Sequence, residues 1–102
     1  MRKQKVLIFP AGTEIAFEIQ NALKYSKFVE LYGCSSIPCH AEFVFERYIE
    51  GVPYPDAPGF VDSLNEIIDS YEIDFIYPAH DSACLALTQK QDELHCRVVT
   101  SP

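Results

Sequence analysis

The chain has 102 residues, with eight Lys and Arg against fifteen Asp and Glu, for a formal net charge of −7. Its hydrophobic fraction of 48% and aromatic fraction of 13% exclude a polar disordered tract and supply enough material for one packed core. No apolar run approaches the ~20 residues of a membrane-spanning helix, and the basic residues cluster only at Arg2, Lys3 and Lys5, so neither a membrane nor a phosphate backbone is an expected partner.

The length suits one domain, or part of a larger protein. The opening apolar run at 6–9 is shorter than the ~7–15 residues of a secretory leader. The expected setting is therefore a reducing cytoplasm, with Cys34, Cys39, Cys84 and Cys96 as free thiols. Cys39 beside His40 and His95 beside Cys96 are zinc-ligand types, but their spacing matches no common zinc module. The expectation is four structural, metal-free cysteines.

In chain order, residues 6–9 read as a short buried strand stopped by Pro10. Thr13 is a plausible N-cap with Glu14 in the first turn, where the helix dipole favours an acid. Ile15, Ile19, Ala22 and Leu23 then follow helical spacing, and Lys24 and Lys27 suit the C-terminal end. Residues 28–32 read as a second strand. The stretch after Pro38 is ambiguous; a helical turn over 40–43 and a strand within 44–49 fit it best. Gly51, Pro53, Pro55, Pro58 and Gly59 make a loop. Phe60, Leu64, Ile67, Ile68 and Tyr71 restore the helical period, with Asp62, Asn65, Glu66 and Asp69 on the other face. Residues 73–77 read as a strand ended by Pro78. Asp81 or Ser82 can cap a third helix running to about Glu93, with Ala83, Leu87 and Leu94 inward, and residues 97–100 form a last strand.

Strands alternating with helices predict an α/β fold, a three-layer sandwich around a mostly parallel sheet of four or five strands. The predicted core contains Leu7, Ile8, Ile19, Leu23, Leu64, Ile68, Phe75, Ile76 and Val98. Ligands of such sheets bind beyond the carboxyl ends of the strands, where strand order reverses. In the order 3-2-1-4-5, the loops after strands one and four share that crevice. This selects Gly12, Thr13, His80 and Asp81 as substrate-binding candidates, beside two helix N-termini whose N–H groups favour a small anion.

Several chemistries lack their residues. Gly12 alone does not make a dinucleotide GxGxxG turn, because Phe17 follows Ala16 and no acid stands in a clean ribose position after strand two. No GxxxxGK[ST] loop and no GxSxG elbow occurs. Cys34 follows a strand but has no evident activating neighbour, and the aromatic residues are distributed as core. His80-Asp81 reads equally as a ligand-orienting or acid–base pair and as a satisfied loop histidine beside a helix cap.

Three segments carry a resemblance: KVLIFPAGTEI at 5–15, DSLNEII at 62–68 and, most specifically, YEIDFIYPAHD at 71–81. Together they resemble the N-terminal preATP-grasp domain of ATP-grasp carboxylate–amine ligases, in particular those similar to the carbamoyl-phosphate synthase large subunit. The resemblance implies a Rossmann-like unit ahead of the nucleotide-binding domains. Those later domains hold ATP and magnesium, and the full enzymes activate a carboxylate as an acyl phosphate for attack by an amine. The first domain lines the substrate pocket or helps subunits associate, as in a homodimer. Gly12, Thr13, His80 and Asp81 match the segments that face that pocket; Phe17 departs from the small residue common there. VVTSP at 98–102 looks like the end of such a domain. The chain is then expected to be the N-terminal part of a longer ligase, or to work with a separate one, with no catalytic residue of its own. The alternative from the residues is a stand-alone α/β module that binds a small ligand or a protein.

Overall fold

A computed structural model describes residues 3–23, 25–36, 45 and 47–99. The elements follow as β1 (Gln4–Phe9), α1 (Glu14–Leu23), β2 (Val29–Cys34), β3 (Tyr48–Ile49), α2 (Phe60–Tyr71), β4 (Phe75–Pro78), α3 (Asp81–Gln89), a 3-10 turn (Gln91–Glu93) and β5 (Arg97–Val98). The strands form one sheet in the order β3-β2-β1-β4-β5, and every pairing is parallel. This is the predicted α/β fold, a Rossmann-like sandwich with five strands.

Strand β1 lies at the centre because it is apolar on both faces, as a doubly covered parallel strand must be. Leu7 is in register with Tyr32 on one side and Ile76 on the other. Leu7, Phe9, Cys34 and Ile76 point to one face, where Phe60, Leu64, Ile67 and Ile68 of α2 and Ala83 and Leu87 of α3 close the larger core. Ile8 and Leu31 point to the other face and pack with Ala11, Ala16 and Phe45. At its start β1 is tied to the chain's distant half, the Lys5 N–H donating to a carboxylate oxygen of Asp74 at 2.8 Å across 69 residues.

Helix α2 starts after Gly59, which has φ +86°, a conformation glycine adopts without a Cβ clash. It stops at Glu72, with φ 57°, where the N–H groups of Glu72 and Ile73 both return to the Ile68 carbonyl. Asn65, assigned by its polarity to the outer face, is buried instead. Its Nδ2 donates to the Glu93 carbonyl at 2.9 Å and its Oδ1 accepts from the His95 N–H at 2.8 Å. The side chain thus satisfies backbone groups leading into β5, which accounts for a buried amide.

The core expectation holds for Leu7, Ile8, Leu64, Ile68 and Ile76 and needs correction elsewhere. Leu23 is 37% exposed, and Ile19, Phe75 and Val98 are half-buried. The reason is uneven cover. Two helices share one face, whereas α1 is the only helix of the described residues on the other, leaving a groove of about 360 Å³ along its flank, lined by Val6, Ile19, Leu23, Phe75 and Tyr77. The third helix is also shorter than expected, ending at Gln89 before the 3-10 turn, so Leu94 is buried from outside it. The helical turn expected at 40–43, with Cys39 and His40, lies outside the described residues; of the strand expected at 44–49, Tyr48–Ile49 is found.

Candidate functional site

The crevice forms where the carboxyl ends of β1, β2 and β4 meet. Backbone bonds set its shape. The Ala79 N–H donates to the Phe9 carbonyl at 2.8 Å, joining β4 to β1, and the Ala11 N–H donates to the Cys34 carbonyl at 2.9 Å, joining β1 to β2. The Ser35 hydroxyl oxygen accepts from the same Ala11 N–H at 3.2 Å. The Phe9-Pro10 peptide bond is cis. The proline-rich loop folds back over these ends: the Val52 N–H donates to the Ser35 carbonyl at 3.2 Å, and the Ser36 hydroxyl donates to the Pro53 carbonyl at 3.1 Å.

The resulting cavity holds about 290 Å³, at the small end of the ~300–1,000 Å³ typical of small-molecule sites. Gly12 and Thr13 line it from the first loop, Ser35 and Ser36 from β2, Tyr54 and Pro55 from the folded-back loop, and His80, Ser82 and Ala83 from the start of α3, with Phe9 and Pro10 completing the wall. Gly12, Thr13 and His80 therefore come together as expected from strand order. Asp81 sits one residue further on, exposed in the first turn of α3 and outside the lining.

Both flanking helices are capped by crevice residues. Thr13 Oγ1 accepts from the Ala16 N–H at 3.1 Å, the N-cap bond expected of it. At α3 the cap is neither Asp81 nor Ser82. His80 holds extended backbone at φ −159°, and its Nδ1 accepts from the Ser82 N–H at 3.2 Å. An imidazole can bond in this way only with Nδ1 unprotonated, so the neutral ring carries its proton on Nε2. His80 is thus both the cap and a side chain facing the crevice, and the two readings left open by the sequence meet in one residue.

Among the described residues no lysine or arginine lines the cavity. Cys34, at the end of β2, is fully buried and burial pushes its thiol pKa far up, so it is no nucleophile. Burial first and the Asp74 carboxylate second raise Cys96 to about 11. His95 is exposed at the opposite end of the strands, its Nδ1 3.0 Å from the Asp69 carboxylate. Among the described residues no group of three or more His, Cys, Asp or Glu stands close enough to hold a metal ion, and no helix is long and apolar enough to cross a membrane.

Sequence reasoning missed Ser35, Ser36, Tyr54, Pro55 and Ser82. Ser35 and Ser36 had a signal, since they follow the strand beside β1 and must approach any crevice at that edge, and Ser82 had one in following His80 at the start of α3. Tyr54 and Pro55 had none, because nothing local says that a proline-rich loop folds back. With this geometry in hand, the chain was compared with known proteins: no family model matches it, and no curated protein matches it.

Proposed function

We propose that this chain is the substrate-side domain of an ATP-grasp carboxylate–amine ligase and that the crevice between β1 and β4 receives a small substrate. One observation carries the reading. The two segments that resemble preATP-grasp domains at the ends of strands one and four, separated by more than half the chain, supply opposite walls of one cavity at the switch point of the sheet.

In this reading ATP and magnesium bind elsewhere in the ligase. A triphosphate favours cationic side chains and a metal favours carboxylates, whereas the described lining residues offer hydroxyls, rings and an imidazole. The nucleotide chemistry then belongs to other domains, in cis or on a separate chain, and the 102 residues contribute binding but no catalytic group. A reducing cytoplasmic setting goes with this reading, as does a homodimer of the kind such domains help to form.

The alternative is a self-sufficient ligand-binding or protein-interaction α/β module, favoured by a crevice whose lining residues all come from this one sheet and its loops. Isothermal calorimetry of the chain with ATP and magnesium checks the first reading. No heat of binding is expected; micromolar ATP affinity with amide shifts at Gly12 and Thr13 would replace it with a nucleotide-binding module.

A further inference from the structure

We infer that the crevice takes a compact, uncharged, ring-bearing molecule, or that part of a larger substrate, rather than a phosphate or carboxylate. The inference rests on the reading of the crevice as the ligand site and narrows its ligand class.

Charge comes first. The sequence points to a small anion because two helix N-termini meet there, but each terminus already gives one N–H to its own cap. The Ala16 N–H is bound by Thr13 and the Ser82 N–H by His80. The first turns carry Glu14 and Asp81, both exposed, and these carboxylates offset the partial positive charge of the helix ends. Among the described residues no lysine or arginine lines the cavity, and none occurs in the sequence between Ser36 and Arg47. Lys90 follows the C-terminal end of α3, and its Nζ lies 2.6 Å from the Pro55 carbonyl oxygen and 5.3 Å from the centroid of the Phe60 ring. An anion entering here would lose hydration with no cationic side chain among the described lining residues to replace it.

Shape and polarity then favour a ring. The lining is mostly apolar and includes Pro10, Tyr54 and Pro55, beside Phe9, whose own ring packs on Phe60 in the core. Tyr54 is 57% exposed, leaving a large aromatic side chain at the mouth with area still to bury. The volume suits a one- or two-ring compound. Polar recognition falls to His80: with Nδ1 accepting from Ser82, its Nε2–H is a donor suited to a carbonyl or ring-nitrogen acceptor.

Amide chemical-shift mapping on the 102-residue chain tests this with uracil, nicotinamide and indole against phosphate and acetate. Saturable shifts at Gly12, Thr13, Ser35, Ser36 and Ser82 are expected from at least one ring compound, at affinity tenfold or more above either anion. Two substitutions separate recognition from folding. His80→Asn keeps a good N-cap oxygen but loses the ring donor; it should weaken binding of a carbonyl-bearing ring threefold or more without lowering the melting temperature. Tyr54→Ala, at an exposed position, should weaken every ring ligand. Stronger shifts of the same amides by phosphate or acetate would overturn the uncharged class and leave the crevice standing as the site. No crevice shifts with any probe, or ring-induced shifts confined to another surface, would overturn both.

Discussion

Gly33→Ala offers a test in which two known effects oppose each other and the packing decides the sign. Gly33 lies in β2, paired with Ile8 on one side and Tyr48 on the other, and its backbone is outside the left-handed region. Alanine is therefore conformationally allowed, and restricting the unfolded chain alone would stabilise the protein by about 0.4–1 kcal/mol. Against this, a Cβ there would stand 2.8 Å from Phe45 Cγ and 3.0 Å from Ala11 Cβ. Neither neighbour yields easily: Phe45 is 3% exposed, and Ala11 is fully buried with its N–H held by β2. Overpacking of this kind costs about 1–3 kcal/mol. The net expectation is a loss of about 1–2 kcal/mol, or a fall in melting temperature of about 5–15 °C for a domain this size. Urea and thermal unfolding of Gly33→Ala, Phe45→Leu and the double variant should show the smaller side chain relieving the clash, with a coupling of at least ~0.5 kcal/mol. A Gly33→Ala protein more stable than the parent, or a cycle that adds without coupling, would refute the close packing of α1's loop and Phe45 over β2.

Ile68→Ala removes a side chain 3% exposed in the core under α2, and a loss of about 2–5 kcal/mol is expected by chemical denaturation; a loss under ~1 kcal/mol would place Ile68 off the buried stripe. His80→Ala should lower stability by about 0.5–2 kcal/mol through the lost cap, with His80→Asn close to the parent; equal losses in both would show that the imidazole does more than cap. Cys34 should resist a thiol reagent under native conditions and react only on unfolding, so fast native labelling at Cys34 would contradict its burial. Cys96 has its pKa raised from 9.0 to about 11 in the fold. Its contribution to stability is therefore full below pH ~9 and is lost as pH rises through ~11, and unfolding curves at pH 8 and 10.5 should converge between parent and Cys96→Ser as the pH rises.

The sheet was legible because its signal is short and repeated. Residues 6–9 and 73–77 are apolar runs of strand length, each ended near a proline, and right-handed crossovers leave few ways to order them. Strand ends moved by a residue or two because pairing, which sequence does not display, decides them; β2 extends to Cys34 since Gly33 and Cys34 find partners in Tyr48 and Ile49. Asn65 and Leu23 were misplaced for opposite reasons. Helical periodicity gives a face but not its cover, so an amide can be drawn inward by backbone groups 28 and 30 residues away, and a leucine can be left half outside where α1 has no second helix beside it among the described residues. In the crevice, the residues at strand ends followed from topology. The cap did not, because an aspartate followed directly by a serine outranks histidine in helix-capping preference, and only the extended backbone at His80 reverses that order.

The central place of β1 also sets a timetable. The strand is made first, and its pairing with β2 can form early, but the edge that receives β4 waits for residues 75–78. At ~5–20 residues per second of synthesis, the 69 residues between Lys5 and Asp74 correspond to roughly 3–14 seconds. Through that interval Leu7 and Ile8 offer an unpaired strand edge in the nascent chain, the kind of surface that invites pairing with another strand. The crevice cannot exist before that edge closes, since one wall comes from Gly12 and Thr13 and the other from His80 and Ser82. Any ligand spanning it therefore binds the finished domain alone and stabilises it by mass action, drawing the late pairing of β1 with β4 to completion.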